Sequence, residues 1–371
     1  MIPPLFLFGP LCHPQLFQAV VGDTRHLRQE EAVLPGFSVK SAAGGGTAVI
    51  SADSEGETTG LIVSGLSEAD YAALDFYEAI FGHSSHPVVL ADGRSARAYL
   101  PPQGRRQGVV PWDLAVWARE WGEISVRAAR ETMSYRGSKS PQQLANMMPT
   151  IQARAASSIN AEHSRHGAGT LNGDVEIIER SRPYANFFAL EEFDLRHRRF
   201  DGDMSPTLSR AVFRPSDATL VLPYDVRRDR VLLVEQFRAG PMARGDAKPW
   251  QLEAVAGRID AGETPETAAR REALEETGVE IGRMHTVGEV YCSPGNSSEF
   301  YYMFVGEADL PDEAARLGGL ASEDEDIRSH LLSFDTLMDM NDRFEVANAP
   351  LMILTFWLAR HRAELRANAG V

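Results

Sequence analysis

The chain has 371 residues, 43% hydrophobic and 24% charged, a globular composition in a length too great for one ordinary core. Its net charge of −15 is uneven, with −4 over residues 1–110, +2 over 111–170 and −13 over 171–371. Such an acidic C-terminal half argues against nucleic acid or an acidic membrane as a partner, and an anionic ligand there needs a metal ion or local arginines. Cys12 and Cys292 stand far apart with no disulfide or zinc spacing, which points to a reducing cytoplasm. The opening MIPPLFLFGPL lacks a basic flank and is broken by prolines, so it does not read as a signal peptide.

Residues 1–110 read as a small mixed domain. A buried strand at Leu5-Phe6-Leu7-Phe8 turns at Gly9-Pro10, and a helix follows from Pro14 to Val21. Strand-like segments recur at 47–50, 61–63, 87–90 and 96–100 between Gly-rich breaks, with a helix over 68–81. Residues 111–168 form a helical connector. Trp112, Trp117 and Trp121 recur at helical spacing in an amphipathic stretch that reads as a packing face, and a second helix covers 141–162. His83, His86, His163 and His166 have no ligand set around them and read as surface residues.

Residues 169–371 carry the chemistry. Residues 218–222 and 230–236 are apolar enough for buried strands, and the stretch between Arg238 and Trp250 is long enough to close over a ligand. The sequence GRIDAGETPETAARREALEETGV, Gly257 to Val279, begins as a turn, and Thr264 is placed to cap a helix whose first residue is Pro265. Gly278 stands where a left-handed C-cap is expected. A helix advances about 100° per residue, so Glu272 and Glu276 fall about 40° apart, with Glu275 beside them. Three carboxylates on one face repel, and two sit at the negative end of the helix dipole. A divalent cation removes the conflict, and hard oxygen ligands suit Mg²⁺ or Mn²⁺. Ala269 and Ala273 leave the opposite face small enough to lie on a sheet, and Arg271 reads as a partner for Glu263. Further strands are expected at 286–291, 300–305 and 327–332, with an acidic loop at Glu323-Asp324-Glu325-Asp326. The last long apolar run, 349–359, is too short to span a bilayer and reads as a buried helix capped by Asn348.

The 257–279 stretch resembles the Nudix box, with Ala273 where a larger aliphatic residue is usual. The flanking segments Tyr184–Phe188, Leu222-Pro223-Tyr224-Asp225, Val234–Arg238 and Trp250–Gly257 resemble bacterial ADP-ribose pyrophosphatases. Pro294, behind the box in Ser293-Pro294-Gly295, matches the family's marker for ADP-sugar substrates. The resemblance implies an α+β chain whose C-terminal part is a Nudix α/β/α sandwich with a mixed sheet. It implies Mg²⁺-dependent (or Mn²⁺-dependent) hydrolysis of the pyrophosphate of ADP-ribose to AMP and ribose 5-phosphate. Metal would be held by the Ala256 carbonyl, Glu272, Glu275, Glu276 and Glu325, and Glu323 would take the water's proton. Arg210 and Arg238 would bind substrate, Phe187 would stack on adenine, and Glu253 and Glu299 would contact the sugar or bridge subunits. Ala211 departs from the glutamate usual after that arginine. A homodimer exchanging residues 175–215 is also implied. Another nucleoside diphosphate sugar, NADH or a modified nucleotide would keep the same metal chemistry. A non-catalytic ADP-ribose sensor would be expected to have lost box carboxylates that are all present here.

Phe8-Gly9-Pro10-Leu11 and Leu74-Asp75-Phe76-Tyr77-Glu78 resemble the substrate loop and the acidic segment of the gamma-glutamylcyclotransferase-like (AIG2-like) fold, which implies a small β-barrel-like domain for 1–110. Pro10 has no N–H to offer such a loop, and Phe8 lacks the usual hydroxyl. The two parts in this order resemble tellurite-resistance-associated Nudix proteins.

Overall fold

The computed structural model describes residues 2–102, 108–163, 173–319 and 325–371. The chain divides into two compact units, Met1–Ser164 and Arg165–Val371.

In the first unit the strands are β1 (Leu5–Leu7), β2 (Arg28–Ser41), β3 (Ala48–Ser64), β4 (Ser84–Val89), β5 (Ser95–Leu100) and β6 (Val110–Pro111). They form one sheet in the order β4-β5-β1-β3-β2-β6, in which β1 and β5 run parallel and the other neighbours antiparallel. The expected small barrel is a correction. Among the described residues the sheet is open, because closure requires its edge strands to pair and β6 is only a two-residue exposed segment. The segments 47–50 and 61–63 are the two ends of a single 17-residue strand, β3. Its middle, exposed and polar, pairs with β2 in a long ribbon that the apolar pattern did not mark. The ribbon shifts register between Pro35 and Phe37, at a left-handed Gly36 (φ +80°).

Helices α1 (Pro14–Val21), α2 (Glu68–Ile80), α3 (Leu114–Trp117), α4 (Glu123–Ser134) and α5 (Pro141–His163) complete this unit, with a π-helical turn between α3 and α4. Ser67 and Asp70 cap α2 reciprocally, side chain to backbone, which fixes where that helix begins. The tryptophans pack inward. Trp117 is 2% exposed in the same core as Leu5, Leu16, Leu74 and Tyr77, and its Nε1 donates to the Gly46 carbonyl at 3.1 Å.

The second unit opens with a three-stranded antiparallel sheet, β7 (Val175–Ala185), β8 (Ala189–His197) and β9 (Leu208–Arg214). Its main sheet has the order β14-β15-β10-β11-β17-β16, built from β10 (Ala218–Asp225), β11 (Arg230–Phe237), β14 (Met284–Tyr291), β15 (Phe300–Glu307), β16 (Leu317–Gly318) and β17 (Ile327–Ser333). The β10–β15 pair is parallel and the other pairs antiparallel, so the sheet is mixed. Alternation along each strand divides the core. Leu220, Leu222, Tyr224, Val231 and Leu233 pack with residues of α8 (Phe334–Asp342) and α9 (Ala349–Asn368). Val221, Leu232 and Val234 pack with Ala269 and Ala273 of α7 (Pro265–Thr277) on the opposite face. This is the expected α/β/α layering.

One departure from regular pairing makes room for the site. β10 and β11 pair only at their hairpin end, Tyr224 with Val231 and Asp225 with Arg230. Beyond it they part, and after a short helix α6 (Ala239–Arg244) β12 (Trp250–Glu253) pairs with β11 while β13 (Val255–Arg258) pairs with β10. The chain between β12 and β13 therefore crosses the opening and delivers Glu253, Ala256 and Gly257 to its mouth.

Candidate active site

Helix α7 forms where the sequence places it. Thr264 caps it by accepting from the Thr267 N–H at 3.2 Å, Pro265 opens it, and Gly278 ends it in the left-handed region at φ +66°. Ala269 and Ala273 are fully buried, which brings the helix close to the sheet, while Glu272 and Glu275 line the opening. Gly257 faces Glu272 so closely that a Cβ there would overlap the carboxylate. A second close approach lies at the other end of the helix. A Cβ on Gly318 would overlap the Glu276 carbonyl, and left-handed Gly319 (φ +96°) lies against Glu325.

Arg271 ties the loop to the helix, as expected. Its Nε donates to Glu263 Oε1 and its Nη2 to Glu263 Oε2, both at 2.8 Å. Its Nη1 donates to Glu272 at 2.8 Å and to Glu275 at 3.0 Å. Burial pushes the Glu272 carboxyl up to about 7, with Arg271 pulling the other way and Glu275 and Glu325 adding to the rise. Glu276 is only 2% exposed, and burial, reinforced by Glu272 and Glu325, raises it to about 9. Its Oε2 is buried with no hydrogen-bond partner among the described residues.

Among the described residues no three acidic, histidine or cysteine side chains already converge on one point as metal ligands. Arg271 accounts for part of this, since it draws Glu272 and Glu275 toward itself. The donor set nevertheless fits a divalent cation. An orphaned carboxylate oxygen, and carboxylates that raise one another's pKa, are what a bound cation would satisfy.

One cleft brings together Phe187, Arg238, Glu253, Ala256, Glu272, Glu275, Glu299 and Glu325, whereas Glu276 is buried and does not line it. Arg238 is held by Glu253, whose Oε2 accepts from its Nε at 2.8 Å and makes an ion pair with its Nη2 at 2.7 Å. Glu299 accepts from the Tyr301 hydroxyl at 3.0 Å and the Cys292 thiol at 3.1 Å. Arg210 is not part of this cleft. It is exposed on β9 among Glu179, Glu192 and Asp194. Glu323 lies outside the described residues. Two participants in the cleft were missed in the sequence, Arg258 altogether and Asn348 as anything more than a helix cap. Arg258 lines the cleft with its guanidinium 5.9 Å from the Phe187 ring centre, and Asn348 donates to Glu253 as well as capping α9. Arg258 could have been noticed as a cation next to Gly257. The Asn348 contact spans 95 residues and leaves no local signal.

The first unit has a cleft of its own, lined by Phe8, Pro10, Leu11, Tyr77, Glu78, His83 and Trp117 among others. Glu78 Oε2 and His83 Nδ1 share a hydrogen bond at 2.6 Å, so His83 is not the free surface residue its sequence context suggested. No described helix is long and apolar enough to cross a membrane.

The Nudix-domain family profile matches residues 214–353. The chain is 40% identical over 193 residues to an ADP-ribose pyrophosphatase of Escherichia coli, covering 52% of this chain and 91% of that one. It is 33% identical over 195 residues to an ADP-ribose pyrophosphatase of Haemophilus influenzae, covering 52% and 89%. A GDP-mannose pyrophosphatase of Escherichia coli is 32% identical over 188 residues, covering 51% and 96%. This chain therefore belongs to the Nudix family. Its C-terminal unit is a Nudix pyrophosphohydrolase.

Proposed function

We propose that the second unit hydrolyses the pyrophosphate bond of ADP-ribose, releasing AMP and ribose 5-phosphate. The observation that carries this reading is the cleft in which Glu272, Glu275 and Glu325 face Arg238, in a chain 40% identical to an ADP-ribose pyrophosphatase. The Ala256 carbonyl, Glu272, Glu275, Glu276 and Glu325 would hold magnesium or manganese ions. Bound there, such ions would offset the diphosphate charge and acidify the attacking water. Arg238 donates its Nε–H to Glu253, and the N–H groups at the far side of its guanidinium suit a phosphate oxygen pair. Phe187, exposed at the cleft, offers a face for the adenine, and Glu253 and Glu299 border the sugar. Glu323 is assigned to the water's proton by the family resemblance alone.

A panel of ADP-ribose, GDP-mannose, other nucleoside diphosphate sugars and NADH, assayed with Mg²⁺ for wild type and Glu276→Gln, tests the reading. AMP release from ADP-ribose by wild type alone is the expected result. Faster turnover of GDP-mannose would favour the second reading that the 32% relative supports. Tight binding without hydrolysis would identify a sensor.

A homodimer through the second unit is part of the proposal. Val175, Ile177 and Ile178 on β7 are all exposed, an apolar edge that a second copy would cover, and its β9 would then bring Arg210 to the neighbouring site. Light scattering of wild type against Ile177→Glu checks it.

For the first unit we propose a gamma-glutamylcyclotransferase-like binding module. The support is that Phe8, Pro10, Leu11 and Glu78, the residues of both sequence segments, line one cleft. Pro10 removes a donor from the loop, and the Glu78–His83 bond engages the acid, so a role in binding is favoured over turnover. The full chain should release no 5-oxoproline from gamma-glutamyl amines. The order of the two modules also supports a stress-tolerance role, tested by the tellurite sensitivity of cells lacking the protein.

A further inference from the structure

We infer that Asn348 is a positioning residue for Arg238, acting through Glu253; this deepens the reading of Arg238 as a ligand of the substrate's diphosphate. Glu253 bonds to both side chains, one through each carboxylate oxygen. Asn348 Nδ2 donates to Glu253 Oε1 at 2.8 Å, and Glu253 Oε2 accepts from Arg238 Nε at 2.8 Å and forms an ion pair with its Nη2.

The orientation of the Asn348 amide is fixed by chemistry. Its Oδ1 accepts from the Leu351 N–H at 3.0 Å, capping α9, so its Nδ2 must face the carboxylate, which can only accept. Helix α9 is itself held rigidly, because Leu351, Leu354, Leu358 and Leu365 are buried in the core on its side of the sheet. Glu253, 8% exposed, is thus pinned at one oxygen to a fixed helix end and presents the other to Arg238. An unpinned arginine would lose side-chain freedom on binding an anion, whereas this one, at the wall of the cleft, is already ordered by Glu253.

Asparagine meets both demands at once, capping α9 through Oδ1 and donating to Glu253 through Nδ2. Serine and aspartate cap helices as well as asparagine does. Serine is too short to reach Glu253, and aspartate would oppose one carboxylate to another. Asn348→Ser and Asn348→Asp should therefore keep α9 folded while loosening Arg238.

The experiment compares wild type, Asn348→Asp, Glu253→Gln and the double variant Asn348→Asp/Glu253→Gln. In the double variant the polarity is reversed: the new glutamine donates through Nε2 to the new aspartate and accepts from Arg238 through Oε1. Asn348→Asp should raise KM for ADP-ribose about 10-fold with kcat within about threefold, Glu253→Gln should raise KM further because that side chain also borders the sugar, and the double variant should have a KM at least about threefold below that of Glu253→Gln. The ¹⁵N–¹H resonance of the Arg238 Nε, identified by its loss in Arg238→Lys, should be protected from exchange in wild type and the double variant and lost in Asn348→Asp. An unchanged resonance in Asn348→Asp, or a double variant whose KM is no lower than that of Glu253→Gln, would overturn the inference. Wild type that is inert toward ADP-ribose would instead sink the substrate reading, and the resonance would still decide the relay.

Discussion

Arg271 and Glu263 form a two-pronged ion pair, Nε to Oε1 and Nη2 to Oε2, that closes the loop before α7 onto the helix itself. The hydrogen bonds from Arg271 hold the Glu263 carboxyl below the usual carboxylate range. Glu263→Gln keeps the shape and removes the charge, so Arg271 should turn further toward Glu272 and Glu275. We expect a loss of about 1–3 kcal/mol, read as a fall of several degrees in Tm. AMP release should fall about 10-fold in the same variant.

Glu276 has a buried carboxylate oxygen that no described group satisfies. Magnesium should therefore raise the Tm of wild type in a concentration-dependent way, and a chelator should reverse it. Glu276→Gln should remove most of that response and lower activity by at least about 100-fold. Equal metal-dependent stabilisation of both proteins would show that the cation binds elsewhere.

Asp225 offers the clearest pH dependence away from the site. Burial alone would raise its pKa, but hydrogen bonds from the Arg227, Arg228 and Leu310 N–H groups and the Arg228 side chain outweigh it and hold it low. A depressed folded-state value contributes stability above the unfolded value near 4, and that stability is lost as pH falls through the folded value. Wild type should lose stability steeply below about pH 4. Asp225→Asn should be less stable by about 2 kcal/mol at pH 7 and show a flatter acid limb in denaturant titrations.

Gly257→Ala tests the close approach of β13 to Glu272. With no room for a Cβ, the carboxylate must move. Activity should drop by about 100-fold or more while far-ultraviolet circular dichroism stays that of wild type. Retained activity would mean that Glu272 is mobile enough not to depend on this packing.

The C-terminal half was largely readable from local residues. Thr264, Pro265 and Gly278 mark the ends of α7, and 3.6-residue spacing alone put the three glutamates on one face. Distance hid the rest. The bond between Asn348 and Glu253 joins residues that no sequence window contains together. In the first half, β2 and the middle of β3 lack apolar alternation because they form an exposed ribbon, so a 17-residue strand read as two short ones. The Trp117 stripe was legible as a packing face, and its partners are the core of its own unit. The barrel expectation came from likeness to a fold, and strand pairing does not follow from short motifs.

Gly318 and Gly319 touch no substrate in any reading of the site, yet one abuts the backbone of Glu276 and the other lies against Glu325. A screen for inactive variants should therefore recover changes at these two positions alongside the acids themselves. The smallest residues in the C-terminal unit would score as though they were reagents, because they set the spacing at which the reagents stand.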